Sequence, residues 1–255
     1  MKALIFAAGI GSRLKPFTDN HPKALAPVDG VPMLERTLVK LKTAGVTDVV
    51  VNVHHFASQI KEFLQANNNF GLHIHISDET SGLLDTGGGL LKAFRLLDHR
   101  NDEPILLHNA DILTDTSTDD MLAFHNRVNA DVTLLVSERA SSRQLYFSSG
   151  KELCGWCNLK NGECKPQGFT PAAAMKQMAF GGIHIVQPSI RPRLEEYSAS
   201  HGDAFSIIPF YLESLHDMRI LGFTPSSPFV WHDIGTPEKL AAAEATLRKN
   251  HNNQS

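Results

Sequence analysis

Apolar runs alternate with amphipathic stretches from the start of the chain. "KALIFAA", Lys2 to Ala8, is a short continuous apolar run, the pattern of a parallel strand buried on both faces. Met33, Leu34, Thr37, Leu38 and Leu41 follow at helical spacing, with Pro32 suited to the first turn and Gly45 to the end. "DVVVNV" predicts the next strand, and Ile60, Phe63 and Leu64 mark a second helix. "LHIHI" alternates strictly, as a strand with one exposed face does. "GGLLKAFRLL" predicts a third helix opening on glycines, and "PILLHNAD" a strand ending in an acid. "DDMLAFHNRV" and "DVTLLVS" add a helix and a strand. This βαβα order predicts a mostly parallel sheet with helices on both faces.

The pattern changes after Ser137. Residues 141–182 are rich in Ser, Gly, Asn and Cys, with short apolar pieces such as "QLYF" and "LCGW". They predict antiparallel hairpins forming a lid or small subdomain within a single domain spanning residues 1–255. "FGGIHIV" reads as a return to the main sheet. Helical patterns follow around 188–198 and 206–215, then a strand at "RILGF" and a helix at "PEKLAAAEATLRKN". The final "HNNQS" is expected to fray. There is no internal repeat.

A chain of 255 residues at 42% apolar content can bury a sizeable core. Its net charge of −3 and the lack of any Lys/Arg run argue against a nucleic-acid partner. No apolar stretch approaches the ~18–20 residues of a membrane span, and the N-terminus does not resemble a signal peptide, so no membrane partner and a cytoplasmic location are expected. Cys154, Cys157 and Cys164 fit a reducing compartment. Their spacing lacks a fourth zinc ligand nearby, and free thiols are expected.

Candidate chemistry begins at "IFAAGIGSRLKPFTDNHPKALAPV", Ile5 to Val28. It departs from a dinucleotide-binding fingerprint, since Leu14 stands where a third glycine belongs, and it lacks the Gly-Lys-Ser/Thr of a P-loop. A glycine turn after the first parallel strand lies where open α/β sheets bind ligands. Gly9 and Gly11 permit positive φ and close approach, so amides can face phosphate oxygens. Arg13 offers a planar fork and Lys23 a compact charge. Pro16, Pro22 and Pro27 stiffen the segment.

Gly9-x-Gly11-x-Arg13-x-x-Pro16-x-Thr18 followed by Pro22-Lys23 resembles the signature of sugar-1-phosphate nucleotidyltransferases, the nucleotide-sugar pyrophosphorylases. The resemblance extends to "LLDTGGGL", to Asp111 and to "VWHDIGTPEKL", and so covers nearly the whole chain. It implies a Rossmann-like nucleotidyltransferase fold and a reaction joining an NTP to a sugar 1-phosphate with release of pyrophosphate. The nucleophile is an anionic phosphate oxygen, so the chemistry asks for charge neutralisation and positioning rather than a general base.

The resemblance further implies roles. Arg13 holds the β- and γ-phosphates, Lys23 lies near the α-phosphate, and Asp111 and Asp233 hold Mg²⁺. Asp85, Thr86, Gly87 and Gly88 contact the base and ribose, with a backbone edge from Ala7, Ala8 and Gly9. Asn109, Trp156, Asn158, Gly181 and Gly182 line the sugar site, and 141–182 is a lid or sugar-binding subdomain. The lysine that many relatives use on the sugar phosphate is not evident; Lys165 and Lys176 are candidates. Ala110 replaces the glycine common before the metal-binding Asp. His21, His108 and His232 flank motif residues and are expected to play supporting roles, and His73 and His75 to lie on a solvated edge. Within the family, the compact form with "DTGGG" is most similar to the uridylyltransferases of cell-wall recycling that take N-acetylmuramate 1-phosphate. Guanylyltransferases for mannose or heptose 1-phosphate come next. Some relatives bind nucleotide sugars without turnover, but all four charged motif residues are present here.

Overall fold

The computed structural model describes residues 1–97 and 103–252. The expected fraying of the C-terminus bears in part on 253–255, outside the described residues. Along the chain run β1 (Lys2–Phe6), β2 (Pro27–Val28), β3 (Val31–Pro32), α1 (Met33–Thr43), β4 (Asp48–Val53), α2 (Ala57–Ala66), β5 (His73–Asp78), α3 (Asp85–Leu96), β6 (Ile105–Asn109), β7 (Ile112–Thr114) and α4 (Thr118–Arg127). Then come β8 (Val132–Ser137), β9 (Arg143–Phe147), β10 (Leu153–Asn158), β11 (Cys164–Lys165), β12 (Lys176–Val186), α5 (Arg191–His201), α6 (Ile207–Glu213), β13 (Ile220–Phe223), β14 (Trp231–Asp233) and α7 (Pro237–Asn252). Every predicted strand and helix is present. The short pieces β2, β3, β7 and β14 were not predicted. Among the described residues, no helix is long and apolar enough to cross a membrane.

The chain divides into two compact units. The first comprises Met1–Leu83, His108–Thr116 and Pro228–Ser255. In it β4 lies between β1 and β5, parallel to both, with Ile5 opposite Val51 and Val51 opposite Ile76. Val49 to Val53 are all buried, and the one polar residue among them is Asn52. His73 is exposed on β5, its Nδ1 3.6 Å from Asp48, in keeping with the expected solvated edge. The antiparallel ribbon of β7 and β14 sets Asp233 opposite Ile112, beside Asp111. Beneath lies an apolar cluster of Leu14, Ala26, Val28, Met33, Ile234 and Ala243. One small core thus anchors the glycine loop, the Lys23 segment, α1, the Asp233 turn and α7. Leu14, where a dinucleotide-binding fingerprint would carry a third glycine, is a core residue at 2% exposure.

The second unit comprises Leu84–Leu107 and Ser117–Ser227. Here β13 runs parallel to β8, while β12 runs antiparallel to both β8 and β9. β10 pairs antiparallel with β9 and β11. "FGGIHIV" is therefore the second half of one long strand, bulged between Phe180 and His184. Gly182, at φ +73, supplies the left-handed residue at that bulge. The expectation of free thiols is corrected for two of the three cysteines. Cys157 and Cys164 face each other across the β10–β11 ladder and form a disulfide. Strand register, which spacing alone does not reveal, opposes them. Cys154 remains free. The cysteines consequently lend no support to a reducing compartment.

Candidate active site

The glycine loop leaves β1 through Ala7 and Ala8, each 4% exposed. Their amides both donate to Asn52 Oδ1, at 2.6 and 3.1 Å. Asn52 Nδ2 donates to Glu79 Oε1 at 3.0 Å, and Asn52 and Glu79 are 3% and 1% exposed. The backbone edge expected at Ala7 and Ala8 is therefore held from inside the protein. Gly11 needs to be glycine on two counts: its φ is +68, and a Cβ would lie 2.9 Å from Lys23 Cβ. Its carbonyl accepts from Leu14 N and Thr18 Oγ1, each at 2.9 Å. Gly9 does not adopt positive φ, and nothing lies within 4 Å of where its Cβ would be. The freedom expected at both glycines is used by the fold only at Gly11.

Arg13 points outward from this loop, while its neighbour Leu14 enters the core. Among the described residues the Arg13 guanidinium has no carboxylate partner. Lys23, on the next segment, is ion-paired with Asp111, and their side chains are 13% and 27% exposed. Asp111 lies in the turn between β6 and β7, where Ala110 N donates to Phe6 O at 3.1 Å. That bond ties the turn to the end of β1, and Ala110 fits it at 3% exposure. Ile234 N donates to Asp111 O at 3.0 Å, joining the second aspartate's turn to the first. Asp233 pairs with Lys239 and accepts from Gly235 N at 2.9 Å. Burial pushes the Asp233 pKa up, but the hydrogen bonds from Lys239 and Gly235, with the charges of Lys239 and Lys23, outweigh it and hold the carboxyl below its usual range.

Gly235 marks the point of convergence. A Cβ there would lie 2.7 Å from Asp233 Oδ1, 3.5 Å from Arg13 Nη2 and 3.7 Å from Lys23 Nζ. The structure therefore brings together Gly11, Arg13, Lys23, Asp111 and Asp233, and adds Gly235 and Lys239, which sequence reasoning missed. The signal was present in "DIGTPEKL", but Gly235-Thr236-Pro237 reads equally well as a turn and helix start, which it also is. Asn109 ends β6 in the same unit. His108 is buried, and its ring Nδ1 contacts Asn109 O at 2.8 Å. Burial and nearby Lys40 push the His108 pKa down to about 3. His232 Nε2 lies 3.0 Å from Thr246 Oγ1 and its pKa is lowered by burial. Both histidines serve the fold around the aspartates.

The other expected site residues belong to the second unit. Asp85 opens α3 at φ +57, a strained conformation for a non-glycine residue, and accepts from Thr86 N at 2.6 Å. Thr86 Oγ1 accepts from Ile207 N at 3.0 Å. Gly87 N and Gly88 N both donate to Phe205 O. A Cβ would meet the Phe205 ring at 2.2 Å from Gly87, and Asp203 O at 2.0 Å from Gly88. Close packing alone accounts for these two glycines. Gly181 is similarly tight against Leu135, where a Cβ would come within 3.0 Å. Trp156 and Asn158 stand on one face of β10, two residues apart. Lys165 lies 3.3 Å from Glu163, and Lys176 is exposed at the start of β12.

Cations and carboxylates gathered around a glycine loop, at the carboxyl end of a parallel strand, define an α/β protein that handles phosphorus groups. The chain belongs to the Nucleotidyl transferase family, whose model matches residues 2–250. The expected class, the sugar-1-phosphate nucleotidyltransferases, stands. It is 31% identical to an N-acetylmuramate alpha-1-phosphate uridylyltransferase from Caulobacter vibrioides over 252 residues, covering 96% of each chain. It is 30% identical to the protein of that name from Neisseria meningitidis serogroup B, covering 96% of this chain and 97% of that one. Its fold is similar to that of a putative glucose-1-phosphate thymidylyltransferase from Bacillus anthracis, solved with a sucrose, with a TM-score of 0.77 at 18% identity over 97% of this chain and 95% of that one.

Proposed function

We propose that this chain joins UTP to N-acetylmuramate 1-phosphate, giving the UDP-sugar and pyrophosphate. The observation that carries the reading is the near end-to-end match, at 30–31% identity, to two uridylyltransferases of that specificity. The phosphate oxygen of the sugar attacks the α-phosphorus, and the bond from that phosphorus to the bridging oxygen breaks, releasing pyrophosphate. No proton need move to make the nucleophile. The obstacle is repulsion between two anions, about 4 kcal/mol per pair of unit charges at 4 Å and an effective dielectric constant of 20. Arg13 and Lys23, converging on Gly235, supply positive charge of the same order. Arg13, without a carboxylate partner, takes the departing β- and γ-phosphates; Lys23 serves the α-phosphate.

Asp111 and Asp233 fit Mg²⁺, which is commonly held by one or two carboxylates together with substrate phosphates. Among the described residues no group of three or more His, Cys, Asp or Glu side chains could hold a metal, so a site made by protein alone is not expected. When bound, Mg²⁺ supplies further charge neutralisation on phosphate oxygens. A nucleoside triphosphate substrate supports a cytoplasmic location, and the sugar supports a role in cell-wall recycling.

Pyrophosphate release tests the reading directly, with four NTPs each offered against N-acetylmuramate, mannose, heptose and glucose 1-phosphates, with and without Mg²⁺. Highest kcat/KM with UTP and the muramate sugar, and loss of rate on chelation, is the expected result. Highest kcat/KM with GTP and a mannose or heptose phosphate would transfer the assignment to the guanylyltransferases. Binding of a nucleotide sugar without turnover of any pair would make it a regulatory subunit.

A further inference from the structure

The second unit holds a cavity of about 220 Å³ lined by Ser141, Arg143, Leu145, Trp156, Phe180 and Ile208. Strand register explains how these side chains meet. Leu145 stands opposite Trp156 and Arg143 opposite Asn158 across the β9–β10 ladder. Directly opposed residues share a sheet face. Met178 stands opposite Leu145 on β12, so Phe180, two residues on, continues the same face. The result is an apolar, aromatic floor with one cation at its margin. The size suits a single sugar ring, and the half-exposed Trp156 ring offers a surface for the C–H face of a hexose.

Arg143 is exposed, and among the described residues its guanidinium has no ion-pair or hydrogen-bond partner. Among the described residues no acidic side chain lines this cavity. The neighbouring cation, Arg139, already donates to Phe180 O at 2.6 Å. An aromatic floor alone would accept many hexoses. A guanidinium beside it favours one that carries an anionic group, because Arg pairs with carboxylate through two parallel hydrogen bonds.

We propose that this cavity receives the hexose of the sugar 1-phosphate, and that Arg143 pairs with a carboxylate borne by that hexose. On the uridylyltransferase reading, on which this inference rests, the carboxylate is the lactyl ether acid that distinguishes N-acetylmuramate from N-acetylglucosamine. Arg143 is then a specificity residue: it selects the acidic sugar and takes no part in phosphorus chemistry.

The test compares kcat/KM for N-acetylmuramate 1-phosphate and N-acetylglucosamine 1-phosphate with UTP, in the wild type and in Arg143→Gln, Arg143→Lys and Trp156→Ala. Arg143→Gln should lower the muramate-to-glucosamine ratio about tenfold to a hundredfold, mainly through KM for the muramate sugar, with an unchanged melting temperature. Arg143→Lys should keep part of the preference, and Trp156→Ala should weaken both sugars alike. A wild type that prefers the muramate sugar, with an unaltered ratio in Arg143→Gln, overturns the inference and leaves the uridylyltransferase reading intact. A wild type that ignores the muramate sugar but turns over another sugar 1-phosphate overturns both.

Discussion

The Asn52 carboxamide holds the entrance to the glycine loop from below, and its removal can be worked out in advance. Oδ1 takes the Ala7 and Ala8 amides, and Nδ2 takes one oxygen of Glu79. All four residues are at most 4% exposed, so water cannot replace a lost partner without opening the core. Asn52→Leu leaves two buried N–H groups and a carboxylate oxygen without this partner, at about 1–3 kcal/mol for each group. The sum is comparable with the total stability of many domains, about 5–15 kcal/mol, so a folding failure would be uninformative. Asn52→Asp is the sharper perturbation. It keeps the shape and both amide bonds but turns the Glu79 contact into a buried pair of carboxylates, which must share a proton or separate. Glu79→Gln added to Asn52→Asp reverses the donor and acceptor and restores the bond. Asn52→Asp should therefore lower the melting temperature by about 5–15 °C, more at pH 8 than at pH 6, at about 2–4 °C per kcal/mol for a chain of this size. The double variant should recover most of the loss. Pyrophosphate-release kinetics below the melting range should show KM for the nucleotide raised in the single variant and restored in the double. A single variant as stable as the parent at pH 8, or a double variant no better than the single, refutes the proposed splint.

Asp111→Asn should abolish turnover while keeping the fold, and an active Asp111→Asn protein would contradict the metal assignment. Lys23→Ala should slow the chemical step at least a hundredfold in single-turnover rapid quench; unchanged rates would count against its place at the α-phosphate. Gly235→Ala puts a methyl group where Asp233 Oδ1 would be 2.7 Å away, and should raise nucleotide KM about tenfold with little change in melting temperature, since backbone φ at this glycine is not left-handed. His184 is 2% exposed, its ring nitrogens have no hydrogen-bond partner among the described residues, and burial pushes its pKa from 6.5 down to about 3. Between those values the unfolded chain binds the extra proton, so stability should fall as pH drops through that window; His184→Phe, which can keep the stacking on Phe180, should recover about 2 kcal/mol at pH 5, and an identical pH profile would reject the argument.

The sequence was most legible where one local rule sufficed. A continuous apolar run located β1, mainly apolar stretches located β4 and β8, and helical spacing located α1 and α2. The glycine loop was legible because Gly11, Arg13 and Lys23 are close in sequence as well as in space. Pieces of two or three residues carry no period, so the β7–β14 ribbon that brings Asp233 beside Asp111 was invisible. Register was invisible for the same reason, and with it the Cys157–Cys164 bridge and the pairing of Arg143 with Asn158 across two strands. Glycine was the most ambiguous letter. Gly11 answers to both backbone angle and space, Gly87 and Gly88 to the close approach of Phe205 and Asp203, and Gly235 to the charges around it. The last stands among charges that the fold gathers from distant segments, which its own Gly-Thr-Pro context, also that of a turn and helix start, does not reveal.

The pairing within the charged cluster has a consequence for how the site must work. Each aspartate is already matched with a lysine, Asp111 with Lys23 and Asp233 with Lys239, while Arg13 has no carboxylate partner among the described residues. These five groups sum to about one positive charge, so the cluster does not face the strong self-repulsion that three unpaired cations would suffer. On the proposed reaction, a triphosphate would not use Lys23 fully while that lysine remains on Asp111, nor would Asp111 hold a divalent ion while Lys23 covers it. Binding would then exchange partners: Lys23 would pass from Asp111 to a phosphate, and Asp111 would be freed to hold the proposed divalent ion. The exchange would leave neither Lys23 nor Asp111 without an opposite charge, so its cost is small compared with placing a bare charge in a half-buried site. Removing one member should then harm more than its own contact. With Asn at 111, Lys23 loses its carboxylate before substrate arrives, and the proposed divalent ion would lose a ligand afterwards.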